Sequence, residues 1–443
     1  MKQRRIGLLL LLLLVNLVAC SPGHLGSNVI AFIRDGQLWT IDPDGANAFA
    51  VFSANIPVIG YNWSPNHQLL AFRTLDSDFA KTPAAKNLAS AAITGLIGDE
   101  PSTVNTIGVD GGTPIPIAFS SPDVAYSNPM WAITNARLLY RQSPKQPPRH
   151  LNDVIWWVSQ NDQPGGIAIK SLPNSYSIPS LSYQKQMAIG NSEHGIFTTT
   201  LAGTNLRDIS TGPLPGHPLP ATLERVLWQP AHQDASFLYA VPAPSHGSST
   251  GQLMVQLILG TVNGQTTVLT TCTCVQFSWS PDGNHLLYST GTTYTINNLS
   301  DHTSFDIGGA ANSVPYWSPD SQFLLLDGQH TLTLVRVATQ QRTLLLSDDA
   351  SAAVGTSNAP QPAASTLLQP TANSLWAADS RHFLFLTRGR LQWQGQPLKS
   401  GQGLYTVAID NLGHPQGLPG VVDQGKDTQP GWTYQDANTS FLY

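Results

Sequence analysis

Charged residues are scarce in this sequence. They make up 11% of its 443 residues, and the formal net charge is −5. Lysine and arginine form no cluster beyond the first five residues. Because binding to a phosphate backbone requires clustered positive charge, this scarcity argues against nucleic acid as a partner. The abundance of Gly, Pro, Thr, Ser, Gln and Asn is typical of strands and turns rather than helices.

Cysteine is also rare, since the chain contains only Cys20, Cys272 and Cys274. So few cysteines exclude a disulfide framework as the basis of the fold. Cys272 and Cys274 are two residues apart before a predicted strand, where their side chains point to the same face and a bond between them closes a very small ring. We therefore predict a partly buried pair of free thiols, with a redox or metal-binding role as the alternative.

Only one long hydrophobic run is present, from Ile6 to Val15, after the basic residues Lys2, Arg4 and Arg5. A run of about ten residues is too short to cross a bilayer as a helix, which requires roughly twenty. Its position and basic flank are typical of a secretory signal that is removed from the mature protein. No second segment of the sequence is long and apolar enough to span a membrane.

The residues after this run, Leu17-Val18-Ala19-Cys20, resemble the lipobox of bacterial lipoproteins. The resemblance implies that residues 1–19 are a signal peptide and that Cys20 is acylated with diacylglycerol to become the mature N-terminus. Residues 20–28 then form the lipidated end and a short tether, and the protein is expected outside the cytoplasm, held at the bacterial cell membrane by its lipid. An ordinary secretory signal followed by a chance cysteine is the alternative.

A repeat centred on tryptophan runs through the rest of the chain, residues 29–443. Its clearest copy is Phe277-Ser278-Trp279-Ser280-Pro281-Asp282-Gly283, followed by an apolar run from His285. The predicted anchors of the repeat, which we expect to be structural, are Trp63, Trp131, Trp228, Trp279, Trp317, Trp376 and Trp432, with a degraded copy at Leu181. Their spacing of roughly fifty residues lies in the range of propeller blades.

Each repeat predicts four β-strands. One short strand ends at the tryptophan, the Ser-Pro-Asp-Gly sequence forms a tight turn, and an apolar second strand follows. A hairpin then completes the unit, as in Leu257 to Val262, Asn263-Gly264 and Thr266 to Leu269. Four antiparallel strands are one blade of a propeller.

The pattern Tyr/Phe-x-Trp-Ser-Pro-Asp-Gly-x-x-Leu-Leu-Tyr resembles the repeat of TolB-like, or WD-like, β-propellers. The resemblance implies an all-β propeller of four-stranded blades, with eight blades as the prediction and seven as the alternative. We expect the strand around Trp432 to complete the blade that Val29 to Phe52 begins, so that the terminal strands close the ring. Val29 to Ile33 and Ser440 to Tyr443 both resemble the second strand of that blade, and only one of them can occupy it.

Two stretches interrupt the repeat. Residues 75–103 are rich in Ala and Ser and include a candidate short helix, whereas residues 347–373 are rich in Ala, Ser, Pro and Gln and read as a loop. Long loops on a rigid scaffold often carry function, and solvated filler is the competing interpretation.

No catalytic constellation emerges from the sequence. Gly247-Ser248-Ser249-Thr250-Gly251 fits the Gly-x-Ser-x-Gly pattern of serine hydrolases, but it lacks the flanking strand and helix that this motif requires. Asp42, Asp44 and Asn47 are spaced like the start of a calcium loop, but the closing Glu is absent and a turn accounts for them equally well. We predict no catalytic residues, no cofactor and no metal.

These observations favour a membrane-tethered propeller that binds one or more envelope proteins as a monomer and catalyses no reaction. A sensor that binds a small ligand is the second hypothesis, and a hydrolase acting on a glycan or peptide in the channel is the third. TolB-like proteins carry a separate domain before the propeller, whereas here the repeat starts close to Cys20. A role in the Tol–Pal system is therefore not implied.

Overall fold

The computed structural model describes most of the chain between Asn28 and Trp432. The described ranges are 28–85, 100–121, 123–132, 136–144, 155–168, 180–182, 187–192, 195–200, 205–209, 219–220, 223, 225–230, 236–244, 253–309, 313–328, 330–348, 368, 373–389, 391–398 and 402–432. The predicted signal peptide, Cys20 and the tether before Asn28 lie outside these ranges.

The described residues form short antiparallel strands and hardly any helix. The strands of the first half are β1 (Ile30–Arg34), β2 (Gln37–Ile41), β3 (Phe49–Phe52), β4 (Val58–Trp63), β5 (Leu69–Leu75), β6 (Glu100–Gly108), β7 (Gly111–Ala118), β8 (Val124–Tyr126), β9 (Met130–Ala132), β10 (Arg137–Pro144), β11 (Ile155–Gln160), β12 (Ile167–Ala168), β13 (Ser180–Ser182), β14 (Met187–Ser192), β15 (Gly195–Thr200) and β16 (Arg207–Ile209). A 3₁₀ turn, η1, spans Phe79–Lys81.

The second half of the described chain also consists of short antiparallel strands. Its strands are β17 (Leu227–Trp228), β18 (Ser236–Pro242), β19 (Val255–Thr261), β20 (Thr266–Cys272), β21 (Gln276–Trp279), β22 (His285–Ser289), β23 (Thr293–Asn298), β24 (Thr303–Gly309), β25 (Ser313–Trp317), β26 (Phe323–Gly328), β27 (Thr331–Arg336), β28 (Gln341–Asp348), β29 (His382–Thr387), β30 (Leu391–Trp393), β31 (Gln396–Pro397), β32 (Gly403–Ala408), β33 (Gly420–Asp423) and β34 (Asp427–Gly431).

The strands assemble into units of four, each named here after its anchor. They are the Trp63 unit (β4–β7), the Trp131 unit (β9–β12), the Leu181 unit (β13–β16), the Trp228 unit (β17–β20), the Trp279 unit (β21–β24) and the Trp317 unit (β25–β28). In the Trp376 unit, β29, β32 and β33 form the sheet, and Trp376 joins it through a single bridge to Phe383. In the Trp432 unit, β34 is the first strand and β1, β2 and β3 follow.

The hydrogen bonds of the turn after each anchor explain why the repeat contains a serine and, two residues later, an aspartate or asparagine. The hydroxyl of Ser318 donates to Asp320 Oδ1 at 2.7 Å and accepts from the backbone N–H of Phe323 at 2.9 Å. Ser64 and Ser280 make the same two bonds in their own turns, and all three serines are fully buried. The serine and the acidic or amide residue two positions later thus close the turn through their side chains.

The fourth residue after the anchor has left-handed backbone geometry, with a φ of 70° at Gly283. The same conformation occurs at His67, Ser321 and Ser380, where φ is 57°, 61° and 58°. Glycine adopts this conformation without a steric cost, which explains its place in the clearest copy of the repeat. The other three residues pay a local conformational penalty.

Neighbouring units are joined through the anchors. The indole N–H of one anchor donates to the backbone carbonyl just before the anchor of the preceding unit, as in Trp376 to Tyr316 (2.9 Å), Trp63 to Gly431 (3.0 Å), Trp131 to Asn62 (3.2 Å) and Trp279 to Leu227 (3.4 Å). Around these bonds the apolar core lies between units, where residues of the Trp432 and Trp63 units share one cluster. The core is therefore a series of interfaces between stacked sheets.

The two ends of the described chain meet in one sheet. Strand β1 pairs antiparallel with β34, with Ala31 opposite Gly431 and Arg34 opposite Asp427. The predicted pairing of N- and C-terminal strands is therefore confirmed. β1 occupies the second place of the sheet, for which Ser440 to Tyr443 were the rival, and those four residues lie outside the described part of the chain.

Two additions extend the repeat. Strand β30 pairs with the outer edge of β28, so the β30–β31 hairpin from the Trp376 unit covers the neighbouring Trp317 unit. Strand β8 pairs with both β6 and β10 and links the Trp63 and Trp131 units into one sheet. In the predicted insertion 75–103, β6 begins at Glu100 and η1 is the helical turn, whereas residues 86–99 are outside the description.

We predict that the anchor hydrogen bond contributes to stability separately from the packing of the ring. Trp376→Phe removes the bond to Tyr316, whereas Trp317 Nε1 has no hydrogen-bond partner in the described chain, so Trp317→Phe is a matched control. The free energy of unfolding should fall by about 1 kcal/mol more in Trp376→Phe than in Trp317→Phe, because only the first variant loses a buried hydrogen bond. Unfolding midpoints of both variants measure this difference, and equal losses would contradict the proposed contribution.

Candidate functional site

The units present two different faces. The turns after the anchors and the connections between third and fourth strands lie at one end of the strands, which we call the turn face. The opposite end, the loop face, carries the connections between second and third strands and those between consecutive units. Asp282 N–H donates to Ser321 Oγ and Asp320 N–H donates to Ser380 Oγ, both at 3.0 Å, so the turns of successive units lie side by side.

Most of the long connections have both ends at the loop face. They join Leu75 to Glu100, Pro144 to Ile155, Ala168 to Ser180, Ile209 to Leu227, Pro242 to Val255 and Asp348 to the Trp376 anchor. Both predicted insertions, 75–103 and 347–373, are among them. The turn face carries one connection of similar length among the described strands, residues 409–419 between β32 and β33. The other turn-face connections between described strands are shorter, since antiparallel strands there need only tight turns.

Large apolar side chains are exposed on the loop face. Phe119 is 62% exposed after β7, and Leu253 and Met254 are 46% and 39% exposed before β19. Ile155 at the start of β11 and Val275 before β21 are exposed at this face as well. Apolar exposure next to connections of variable length is typical of a binding surface. Leu412 and Leu418, in the connection from β32 to β33, are exposed on the turn face as well.

A cluster of charged side chains on the loop face connects the first and last strands of the described chain. Arg34, at the end of β1, donates through Nε to Asp427 Oδ1 at 2.9 Å and through Nη2 to Asp423. The guanidinium also lies over the rings of Phe32 and Trp39, at 4.9 and 5.0 Å from their centroids. Burial raises the pKa of Asp427 to about 7, against the attraction of Arg34 and with the help of the nearby Asp423 charge.

Asp327 is the other notable charge near this face. It lies in β26 opposite Val314, is fully buried, and neither of its carboxylate oxygens has a hydrogen-bond partner in the described chain. It shares a strand face with Phe323 and Leu325, which belong to the apolar cluster against the Trp376 unit. Burial alone raises the pKa of Asp327 well above its ordinary value.

We predict that Asp327→Asn stabilises the protein at neutral pH. A carboxyl whose pKa is raised in the folded state favours unfolding once the pH exceeds its unfolded pKa of about 3.9, and the amide removes this penalty of roughly 1–3 kcal/mol. The variant should unfold at a higher temperature at pH 7, and its advantage should shrink towards pH 4.

The exposed Asp123 provides the control, since Asp123→Asn should leave the unfolding temperature unchanged. If Asp327→Asn unfolds at a lower temperature than the parent protein at pH 7, the carboxylate makes a stabilising contact and the prediction is wrong.

The prediction of free thiols at Cys272 and Cys274 is wrong, because the structure joins them in a disulfide. Strand β20 ends at Cys272, so the chain turns there and the geometry of a continuous strand does not apply. The two Cα atoms are 5.1 Å apart, within the usual range for a disulfide. The bond closes the connection from β20 to β21 at the loop face, where Cys274 packs beside Phe277 and Val255.

We predict that these two cysteines resist alkylation until a reductant is added. In a Cys20→Ala background they are the remaining cysteines of the chain, so intact mass reports on them alone. The denatured, unreduced protein should take up no iodoacetamide, and the reduced protein should take up two equivalents. Labelling without reductant would restore the free-thiol interpretation.

The predicted anchors all lie in the interior. Trp63, Trp131, Trp228, Trp279, Trp317, Trp376 and Trp432 are each 0–5% exposed, and the side chain of Leu181 is outside the description. Cys20 and the Gly247–Gly251 motif also lie outside the described residues. Asn47 donates to Asp42 at 2.7 Å and the Ala46 N–H donates to Asp44 at 2.9 Å, so these side chains shape the turn between β2 and β3.

The described part of the chain holds no group of three or more His, Cys, Asp or Glu side chains placed to bind a metal ion. Within the same residues, no helix is long and apolar enough to cross a membrane. Sequence reasoning missed Arg34 and Asp327. A charged residue inside the apolar run from Phe323 was the available signal for Asp327.

Comparison with known proteins identifies the fold and no family. No protein-family model and no curated protein matches the sequence. Among solved structures, a eukaryotic initiation factor matches 93% of this chain and 100% of its own length, with a TM-score of 0.50 and 12% identity. TolB from Acinetobacter baumannii matches 62% of this chain and 75% of its own, with a TM-score of 0.36 and 15% identity.

A third neighbour is the C-terminal WD40 domain of Sif2, which matches 82% of this chain and 86% of its own, with a TM-score of 0.42 and 10% identity. These neighbours are β-propellers. The four-stranded antiparallel sheets and the likeness to the initiation factor confirm the prediction of an all-β, propeller-like fold. At such identities the likeness concerns the fold alone and says nothing of activity.

Proposed function

We propose that this chain is a lipid-tethered, extracytoplasmic binding module that holds an envelope protein on its loop face and catalyses no reaction itself. The observation that carries the proposal is the asymmetry of the fold. A repeated, densely bonded scaffold places six of its long connections on one face, together with the exposed apolar side chains of Phe119, Leu253 and Met254. Rigid scaffolds with variable loops on one face are a common basis for protein binding.

We further propose that the scaffold is a closed ring of eight blades. The sheets contain eight strand units, and the bonds from Trp63 to Gly431 and from Trp376 to Tyr316 link units across the ends and the middle of the chain. Pairing of β1 with β34 supports closure without free inner edges. Electron-microscopic class averages viewed along the ring axis count the blades directly. Seven would show that the Leu181 unit or the Trp131 unit is not a separate blade.

The membrane tether rests on the sequence before Asn28. The basic residues, the leucine run and Leu17-Val18-Ala19-Cys20 support lipidation at Cys20 and export from the cytoplasm. A single acyl chain gives only marginal binding, so a diacylglyceryl group with two chains is the anchor that matches a stable membrane location.

The proposal predicts that a partner is captured through the loop face by the membrane-bound protein. In-cell crosslinking of the tagged chain in its native host, followed by mass spectrometry, should recover one envelope protein near-stoichiometrically. Cys20→Ala should abolish both membrane fractionation and capture, because the untethered chain is no longer concentrated beside its partner.

Two double variants locate the binding surface. Leu253→Ser with Met254→Ser changes exposed apolar residues on the loop face, whereas Leu412→Ser with Leu418→Ser changes apolar residues on the turn face that are at least as exposed. The first pair should reduce capture at least tenfold, as expected when about 1.4 kcal/mol of binding is lost, and the second should not. Equal effects of both pairs, or none from either, would refute loop-face binding.

A further inference from the structure

The first strand enters the fold from the turn face. Strand β1 is the second strand of its unit and runs antiparallel to β34, with Ile30 near the anchor Trp432 and Arg34 at the loop face. Second strands of the other units likewise begin at the turn that follows the anchor. Whatever precedes Asn28 in the chain therefore leaves the fold at the turn face.

The exit point is fixed by a side-chain contact. The indole N–H of Trp432 donates to Asn28 Oδ1 at 2.6 Å, and the next residue, Val29, is only 3% exposed. A membrane anchor at Cys20 is thus connected to a defined point through residues 21–27. Fully extended, the chain from Cys20 to Asn28 reaches about 28 Å.

That length does not carry an anchor to the loop face. A strand of six residues, such as β23, rises about 20 Å, and crossing from one strand to its neighbour adds about 5 Å. Any route from Asn28 to the other face therefore uses about 25–30 Å, which is the whole length of the tether. No length remains to reach a bilayer on that side.

From this geometry we infer that a lipid on Cys20 holds the turn face towards the bilayer and presents the loop face, with its long connections, away from it. The inference rests on the lipid anchor proposed above. It assigns the lipid surface to one face of the fold and leaves the other face for a partner that approaches from beyond the membrane.

The chemistry of the turn face indicates that the tether, and not adsorption, sets this orientation. Aspartates outnumber arginines in its described turns and adjoining strand ends. The turns contain Asp42, Asp44, Asp110, Asp162, Asp282, Asp301, Asp320, Asp379 and Asp410 against Arg381, and Arg137, Arg207 and Arg336 stand at the adjoining strand ends. An anionic headgroup surface repels such a face rather than attracting it. The turn face should therefore stand off the bilayer at the end of its tether.

The test uses two matched pairs of labelling positions. Ser300 at the turn face and Thr292 at the loop face flank β23, and Gln163 and Ile155 stand in the same relation to β11. An azide-bearing amino acid at one position carries a donor dye, and the vesicles carry acceptor dyes on their headgroups. The mature chain, beginning at Cys20, is coupled through that thiol to a maleimide lipid in phosphatidylcholine vesicles.

The expected result is that the turn-face member of each pair lies about 20 Å closer to the bilayer than its loop-face partner. Equal or reversed distances in either pair would overturn the inference. Insertion of a long Gly/Ser linker after Ser27 should abolish the difference, because the tether no longer limits the approach. A difference that survives the linker would show that adsorption, not the tether, orients the protein, and would overturn the argument from tether length.

A separate measurement distinguishes failure of the anchor from failure of the orientation. The mass of the N-terminal peptide from host membranes shows whether Cys20 carries a diacylglyceryl group, which the lipid-coupled experiment does not require. If Cys20 is unmodified in the host but the turn-face dyes still lie closer to the vesicle than the loop-face dyes, the proposed lipid anchor is wrong. The exit of the chain at the turn face then still stands. The uncoupled chain should also fail to bind vesicles that contain phosphatidylglycerol, and binding would contradict the repulsion of the turn face.

Discussion

The structure depends on the buried tryptophan that anchors seven of the units. Its ring fills the space between two sheets, and in Trp63, Trp131, Trp279 and Trp376 the indole N–H also donates to the carbonyl before the preceding anchor. A single residue type thus supplies packing within a unit and a directional link to the next one. Because the bond from Trp63 reaches Gly431, the same contact that stacks consecutive units also joins the ends of the chain.

The turn after the anchor makes this link repeatable. A buried serine and the acidic or amide residue two positions on fix the turn, and the residue in left-handed geometry directs the chain into the second strand. The turns that follow the anchors are therefore short and constrained, and most of the longer connections lie at the other end of the strands. This division underlies both the proposed loop-face binding and the inferred orientation at a bilayer.

The repeat made the architecture predictable, but some local features were not. The anchors, the hairpins and the pairing of terminal strands follow from residues that recur at fixed spacing. The disulfide was missed because a continuous strand was assumed where β20 ends at Cys272. Arg34 pairs with Asp427 from the opposite end of the described chain, so no local sequence pattern predicts this contact. The pairing of the β30–β31 hairpin with β28 could not be predicted either, since Leu391 to Trp393 could have paired within their own unit.

The sequence by itself determined the strand units, their anchors and the all-β class, because turn chemistry and apolar runs act over a few neighbouring residues. The pairing of β1 with β34 came from the tertiary structure, since Val29 to Ile33 and Ser440 to Tyr443 satisfy the same local pattern in the sequence. The tertiary structure also decided which face receives most of the long connections and which the N-terminal exit. Those outcomes depend on strand direction within stacked sheets, which is a property of the assembled units rather than of any one of them.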